Sequence, residues 1–204
     1  MSARVPLQAS LFDRGEPDLA PARLAELRRT ALDDTAWVEH LPSFVAGQGV
    51  LMDALIASTR WRTEQLPIYD RLVAVPRLVA GLPDHGPGHL LLDRIRALLS
   101  ARYGTDFPRI SLGYYRDGTD SVAWHGDRVA RTLPEALVAT VSLGGPRRFR
   151  LRPRGGGRSI AFSLGQGDLF VMGGACQRTW QHSVPKVSHA LPRVAIMFRP
   201  VWEG

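Results

Sequence analysis

One cysteine, Cys176, in 204 residues leaves no partner for an intrachain disulfide and no set of thiolates for a cysteine-rich zinc site. A metal in this chain must be held by His, Asp and Glu, a donor set that favours iron, manganese or a catalytic zinc. Lysine is nearly missing as well: Lys186 is the only one, and the rest of the 26 basic residues are arginines. No apolar run approaches the roughly 20 residues that cross a bilayer. The opening stretch, MSARVPLQASLFDRGEPDLA, has no apolar core of a secretory signal. These absences set the expectation of a soluble, cytoplasmic, monomeric protein in a reducing compartment, with no membrane partner.

What is present is average in hydrophobicity but strongly basic, with a net charge of +7 and a pI of about 10.6. A polyanion such as DNA or RNA is one explanation of that balance. An arginine-rich coding bias is the other. The length suits one domain with a short N-terminal extension. Residues 1–35 read as an arm, with a helix over 22–32 started by Pro21 and spaced by Leu24, Leu27 and Leu32. Helices are expected over 50–59 and 90–101, extended chain over 60–80, and a loop over 82–88. After Tyr103 short strand-like runs take over, at 110–115, 137–143, 148–151, 159–164, 168–172 and 194–198. A PRGGG turn lies inside 152–158. That rhythm predicts an α+β domain over 36–204: a double-stranded β-helix, or jelly roll, with its core at about 107–200 and N-terminal helices packed outside.

His125-Gly-Asp127 is the sharpest local feature. Residues two apart on a strand share a face, so both side chains can reach one ion. His182 follows after several strands, where a β-roll can return a late strand beside an early one. Two histidines and a carboxylate form the facial triad of non-haem Fe(II) oxygenases, which leaves positions for a 2-oxo acid and O2. A His-x-Asp pair alone is too short to carry this reading. Support comes from the last strand, where Arg193, Ala195, Met197 and Arg199 share a face. Arginines beside apolar residues on an inward face require anions, and a guanidinium grips a carboxylate with two prongs. His40, His85, His89 and His189 are read as structural.

YYRDGTDSVAWHGD (114–127), VSLGGPRRFRLRP (141–153), GDLFVMGG (167–174), WQHSVPK (180–186) and PRVAIMFRP (192–200) together resemble the AlkB-like Fe(II)/2-oxoglutarate dioxygenases. The resemblance covers about residues 107–200. VPR at 75–77 is similar to the segment leading to that family's substrate lid. It implies an enzyme that oxidatively demethylates N-alkylated bases of DNA or RNA. Iron would be bound by His125, Asp127 and His182. The distal carboxylate of 2-oxoglutarate would pair with Arg193, helped by Tyr115, and Arg199 would lie near the iron-bound end. His125 would also stack on the target base.

The chain departs from the family at Gly113, where an Asn is usual, at Met197 in place of a small polar residue, and at Val129 in place of an acid. LVAGLPDHGPG replaces an aromatic-rich lid, leaving Tyr69 and Trp61 as candidates to face the base. This lid favours a single strand over a duplex, and keeps open the alternative of the same chemistry on a protein side chain or small molecule. Arg128 and Arg131, with Arg147, Arg148, Arg150, Arg152, Arg154 and Arg158 on the hairpin, are expected to line a phosphate-binding rim.

Overall fold

Strand alternation organises the chain into two layers with different tasks. On Arg193–Arg199, Val194, Ile196 and Phe198 are buried on one side with the helices, while Arg193, Ala195, Met197 and Arg199 point to the other. The computed structural model describes residues 15–68, 71–82, 90–127 and 133–200. Its elements begin with β1 (Asp18–Leu19), a 3-10 helix (Pro21–Glu26), β2 (Arg29–Ala31), β3 (Ala36–Leu41) and β4 (Val45–Ala46). Then come α1 (Gln48–Ser58), β5 (Arg62–Ile68), β6 (Arg71–Leu82) and α2 (Leu90–Tyr103). The roll proper holds β7 (Arg109–Tyr115), β8 (Val122–His125), β9 (Val138–Gly144), β10 (Arg147–Pro153) and β11 (Ile160–Leu164). It closes with β12 (Asp168–Gly174), the short α3 (Cys176–Thr179), β13 (Trp180–Val184) and β14 (Arg193–Arg199).

The strands pair antiparallel throughout. The large sheet has the order β2-β3-β12-β9-β14-β7-β6-β5, the small sheet β11-β10-β13-β8, and β1 pairs with β4. One apolar cluster joins Leu51 and Leu55 of α1 and Leu92, Ile95 and Leu99 of α2 to the outer face of the large sheet. The other lies between the sheets, with Tyr115, Phe149, Leu151, Phe170, Met172 and Trp180. This is the jelly-roll architecture expected from the strand rhythm, and the PRGGG turn does join β10 to β11 as a hairpin.

Two expectations change. The helix expected over 22–32 is only the 3-10 turn at Pro21–Glu26, and Arg29–Ala31 instead pairs along β3. Arg147 is no rim residue: it is buried, and its guanidinium donates to the carbonyls of Asp117, Asp120 and Pro185, which fixes the loops before β8 and after β13. Residues 83–89, with His85 and His89, lie outside the described residues, as do Tyr69, Arg128, Val129 and Arg131. Among the described residues no helix is long and apolar enough to cross a membrane.

Candidate metal centre and anion pocket

β8 and β13 are neighbours in the small sheet, and their register sets His125 directly across from His182. The two rings lie 4.2 Å apart, centroid to centroid, and Phe149 stacks on His182 at 5.3 Å. Asp127 follows β8, and ligand atoms of His125, Asp127 and His182 all fall within 4.8 Å of one another. The residue between the first two must be small. A Cβ on Gly126 would sit 2.8 Å from the Gln177 carbonyl oxygen and 3.1 Å from Nη2 of Arg154. Gln177 also accepts the Asp127 N–H through Oε1 at 3.1 Å, so the short α3 that follows β12 holds the loop that carries the carboxylate.

The protonation states suit a divalent cation. His125 Nδ1 lies 2.8 Å from the Ala123 carbonyl, which can only accept; Nδ1 therefore carries the proton and Nε2 presents its lone pair. Burial lowers the pKa of His125, with the positive charge of Arg77 adding to the effect, and burial beside His125 pushes His182 down to about 3. Both rings are neutral at physiological pH. Burial alone would raise Asp127, but the Arg199 guanidinium overrides it and holds the carboxyl below its ordinary range. Arg199 donates from Nε to Asp127 Oδ2 at 2.5 Å and from Nη1 to Ser111. Two neutral imidazoles and one ionised carboxylate form the donor set that Fe(II) takes in a facial triad.

On the same face of β14 as Arg199 stands a second arginine, this one buried. Arg193 is 2% exposed, its Nη2 donates to Ser142 Oγ at 2.7 Å, and its Nε has no partner among the described residues. No carboxylate pairs with it among the described residues, and burial pushes its pKa down. A buried guanidinium without a counter-ion is strongly disfavoured, so an anion placed here would relieve a cost that the described residues leave standing. Tyr115 faces Arg193 across the β7–β14 ladder, with the guanidinium 5.2 Å from its ring.

Four side chains escaped the sequence reading, Gln177 among them. Ser142 and Ser111 hold the two arginines of β14, and Arg77 reaches Tyr115 from β6. Inward positions on β7 and β9 could have been found by the period of two; nothing local marks Gln177. Trp61, a candidate to face a base, packs instead with the helix-side cluster against Tyr114. His40 lies 3.3 Å from Asp168, a partnership that chain spacing conceals.

The model of the 2OG-Fe(II) oxygenase superfamily matches residues 20–199. The alpha-ketoglutarate-dependent dioxygenase alkB homolog 3 of Homo sapiens is 30% identical over 154 residues, covering 71% of this chain and 51% of the relative. The Rattus norvegicus counterpart is 30% identical over 213 residues, covering 98% and 65%. The DNA oxidative demethylase ALKBH2 of Homo sapiens is 31% identical over 120 residues, covering 54% and 46%. The chain thus spans about half to two thirds of the length of these relatives. The solved structure of OsALKBH1 superposes with a TM-score of 0.62 at 14% identity, over 85% of this chain and 100% of that one, a likeness of fold. With a family match from end to end of the described fold, the chain belongs to the 2OG-Fe(II) oxygenase superfamily, among its AlkB-like members.

Proposed function

We propose that this chain is an Fe(II)- and 2-oxoglutarate-dependent dioxygenase that demethylates N-alkylated bases in nucleic acid, on a single strand in preference to a duplex. The family uses Fe(II), 2-oxoglutarate and O2. His125, Asp127 and His182 would hold the iron; Arg193 and Tyr115 would take the distal carboxylate of the oxo acid. Arg199 would keep Asp127 ionised and oriented. The observation that carries this reading is the juxtaposition of a neutral His pair and a carboxylate with a buried arginine that lacks an anion.

When bound, iron and 2-oxoglutarate supply the oxidising chemistry: one atom of O2 enters succinate as CO2 leaves, and the other hydroxylates the alkyl C–H. An N-hydroxymethyl base then breaks its C–N bond to give formaldehyde and the free base. The chain's own groups orient, neutralise and exclude water. The nucleic-acid substrate is supported by the relatives named above and by the outer face of the small sheet. β8, β10, β11 and β13 contain no Asp or Glu. Arg148, Arg150 and Arg152 alternate along one face of β10, and Arg150 and Arg152 lie 5.3 and 4.3 Å from the Trp124 ring. A base must leave its stack to be oxidised, which costs a few kcal/mol in a duplex and much less in a single strand.

The test is formaldehyde release from N-methylated single-stranded and duplex oligonucleotides, with succinate measured in parallel. Asp127→Ala and His182→Ala should abolish both products while circular dichroism stays unchanged. Full activity in either variant would refute the triad. Succinate without formaldehyde on any nucleic acid would move the substrate to a protein side chain or small molecule.

A further inference from the structure

We propose that Arg77 is a positioning residue for Tyr115, and that with it the chain makes good the side chain missing at Gly113. The inference rests on the cofactor reading above and is independent of the nucleic-acid substrate.

The register of three neighbouring strands carries the argument. Leu78 pairs with Tyr114 and Val79 with Gly113, so Arg77 stands across from Tyr115 on the β6 side. Arg193 stands across from Tyr115 on the β14 side. Residues 77, 115 and 193 therefore form one row across the inner face of the large sheet, a tyrosine between two arginines. The adjacent row is Val79, Gly113 and Ala195, whose central residue has no side chain. A Cβ placed at Gly113 would meet Met197 Cε at 3.7 Å, Tyr115 Cε2 at 3.8 Å and Arg77 Nη1 at 4.0 Å. The space an Asn side chain would enter is thus bordered by the Arg77 guanidinium.

Hydrogen-bond polarity gives Arg77 its role. Its Nη1–H donates to the Tyr115 hydroxyl oxygen at 3.1 Å. A phenol that accepts from a guanidinium has its own proton free for another acceptor. Arg193, whose groups can only donate, offers that proton no place. A carboxylate between Tyr115 and Arg193 does. Arg77 is itself fixed by Glu64, 3.5 Å from Nη2, while its buried Nε has no partner among the described residues. It is a second cation aimed at the pocket, joined to the oxo acid through the phenol.

Direct binding of 2-oxoglutarate to the Mn(II)-loaded protein, measured by calorimetry, tests this without turnover. Arg77→Met and Tyr115→Phe should each weaken binding about ten-fold, the loss of one charge-assisted hydrogen bond. The double variant should bind no worse than either single one, because both remove the same contact. Gly113→Asn, added to Arg77→Met, should recover most of the affinity by supplying a donor from the neighbouring row. If Arg77→Met fails to fold, Arg77→Lys takes its place in the same cycle, with a smaller loss and the same non-additivity expected. Unchanged affinity in the Arg77 variant, or losses that multiply in the double variant, would overturn the assignment. Failure of the substrate reading looks different: these affinities would hold while no nucleic acid is demethylated.

Discussion

Arg193 and Arg199 lie on one strand face, yet their partners differ. Arg199 is neutralised inside the protein by Asp127, whereas Arg193 has only the hydroxyls of Ser142 and Tyr115. The difference predicts distinct phenotypes. A charge-assisted hydrogen bond is worth roughly 1.5–3 kcal/mol, so Arg193→Ala should raise the Kd for 2-oxoglutarate about ten- to a hundred-fold. Arg193→Lys should lose less, keeping the charge without the two-pronged fork. Equal affinity in wild type and Ala variant would remove Arg193 from the pocket. At this scale the sequence was readable where chemistry is rare. His-Gly-Asp, a late His and two arginines six apart are unusual together; the structure brings the two histidines, the aspartate and Arg199 to one place. Arg77 and Gln177 were not readable, because an arginine or glutamine carries no sign of which cavity it will face.

Elements were legible where a strand ran continuously apolar or alternated cleanly. β9 and β12 are buried along their whole length, and β10 alternates Arg with Phe and Leu. β3 was missed for a physical reason. Its buried set includes Glu39, a charge that an apolar pattern does not anticipate, and the carboxylate is accommodated by the Tyr103 hydroxyl and by Arg29 and Arg102. The helix expected over 22–32 failed because its residues answer to tertiary partners: Leu27 is buried in the core, and Arg29 lies over the Trp37 ring at 3.7 Å. The β3–β12 contact also makes a testable demand. A Cβ on Gly173 would come within 2.1 Å of the Trp37 ring. Gly173→Ala should destabilise the fold by about 1–3 kcal/mol through overpacking, read as a lower denaturant midpoint with an unchanged slope. An unchanged midpoint would mean that Trp37 moves aside freely.

For the molecule as a whole, the net charge of +7 matters less than where the arginines are free to meet a partner. Arg147 is buried, and Arg154 donates to the carbonyls of Arg178 and Gln177. The outer face of β10 retains Arg148, with Arg150 and Arg152 bonded only to the neutral side chains of Ser159 and Gln181. If these neutralise phosphates, affinity for a single-stranded oligonucleotide should fall steeply with salt. Arg148→Glu with Arg150→Glu should flatten that slope by about 1.4, the loss of two phosphate contacts at about 0.7 counterion each on a single strand. The same slope in variant and wild type would place the nucleic acid elsewhere.

The division of the site between two sheets has a thermodynamic consequence. His125 and His182 belong to the small sheet, Arg193, Arg199 and Tyr115 to the large one, and the Asp127–Arg199 pair spans the gap. Ligands seated there would act as rivets between layers: they would bind the native state and find no site on the unfolded chain. Saturating metal at a hundred times its Kd should therefore add about 2.7 kcal/mol of stability, and 2-oxoglutarate a further increment of its own. Thermal melts with Mn(II), then with Mn(II) and 2-oxoglutarate, should show two successive rises in Tm, and Asp127→Ala should erase the first. Supply of iron and of a central carbon metabolite would then govern how long each molecule survives as well as how fast it works.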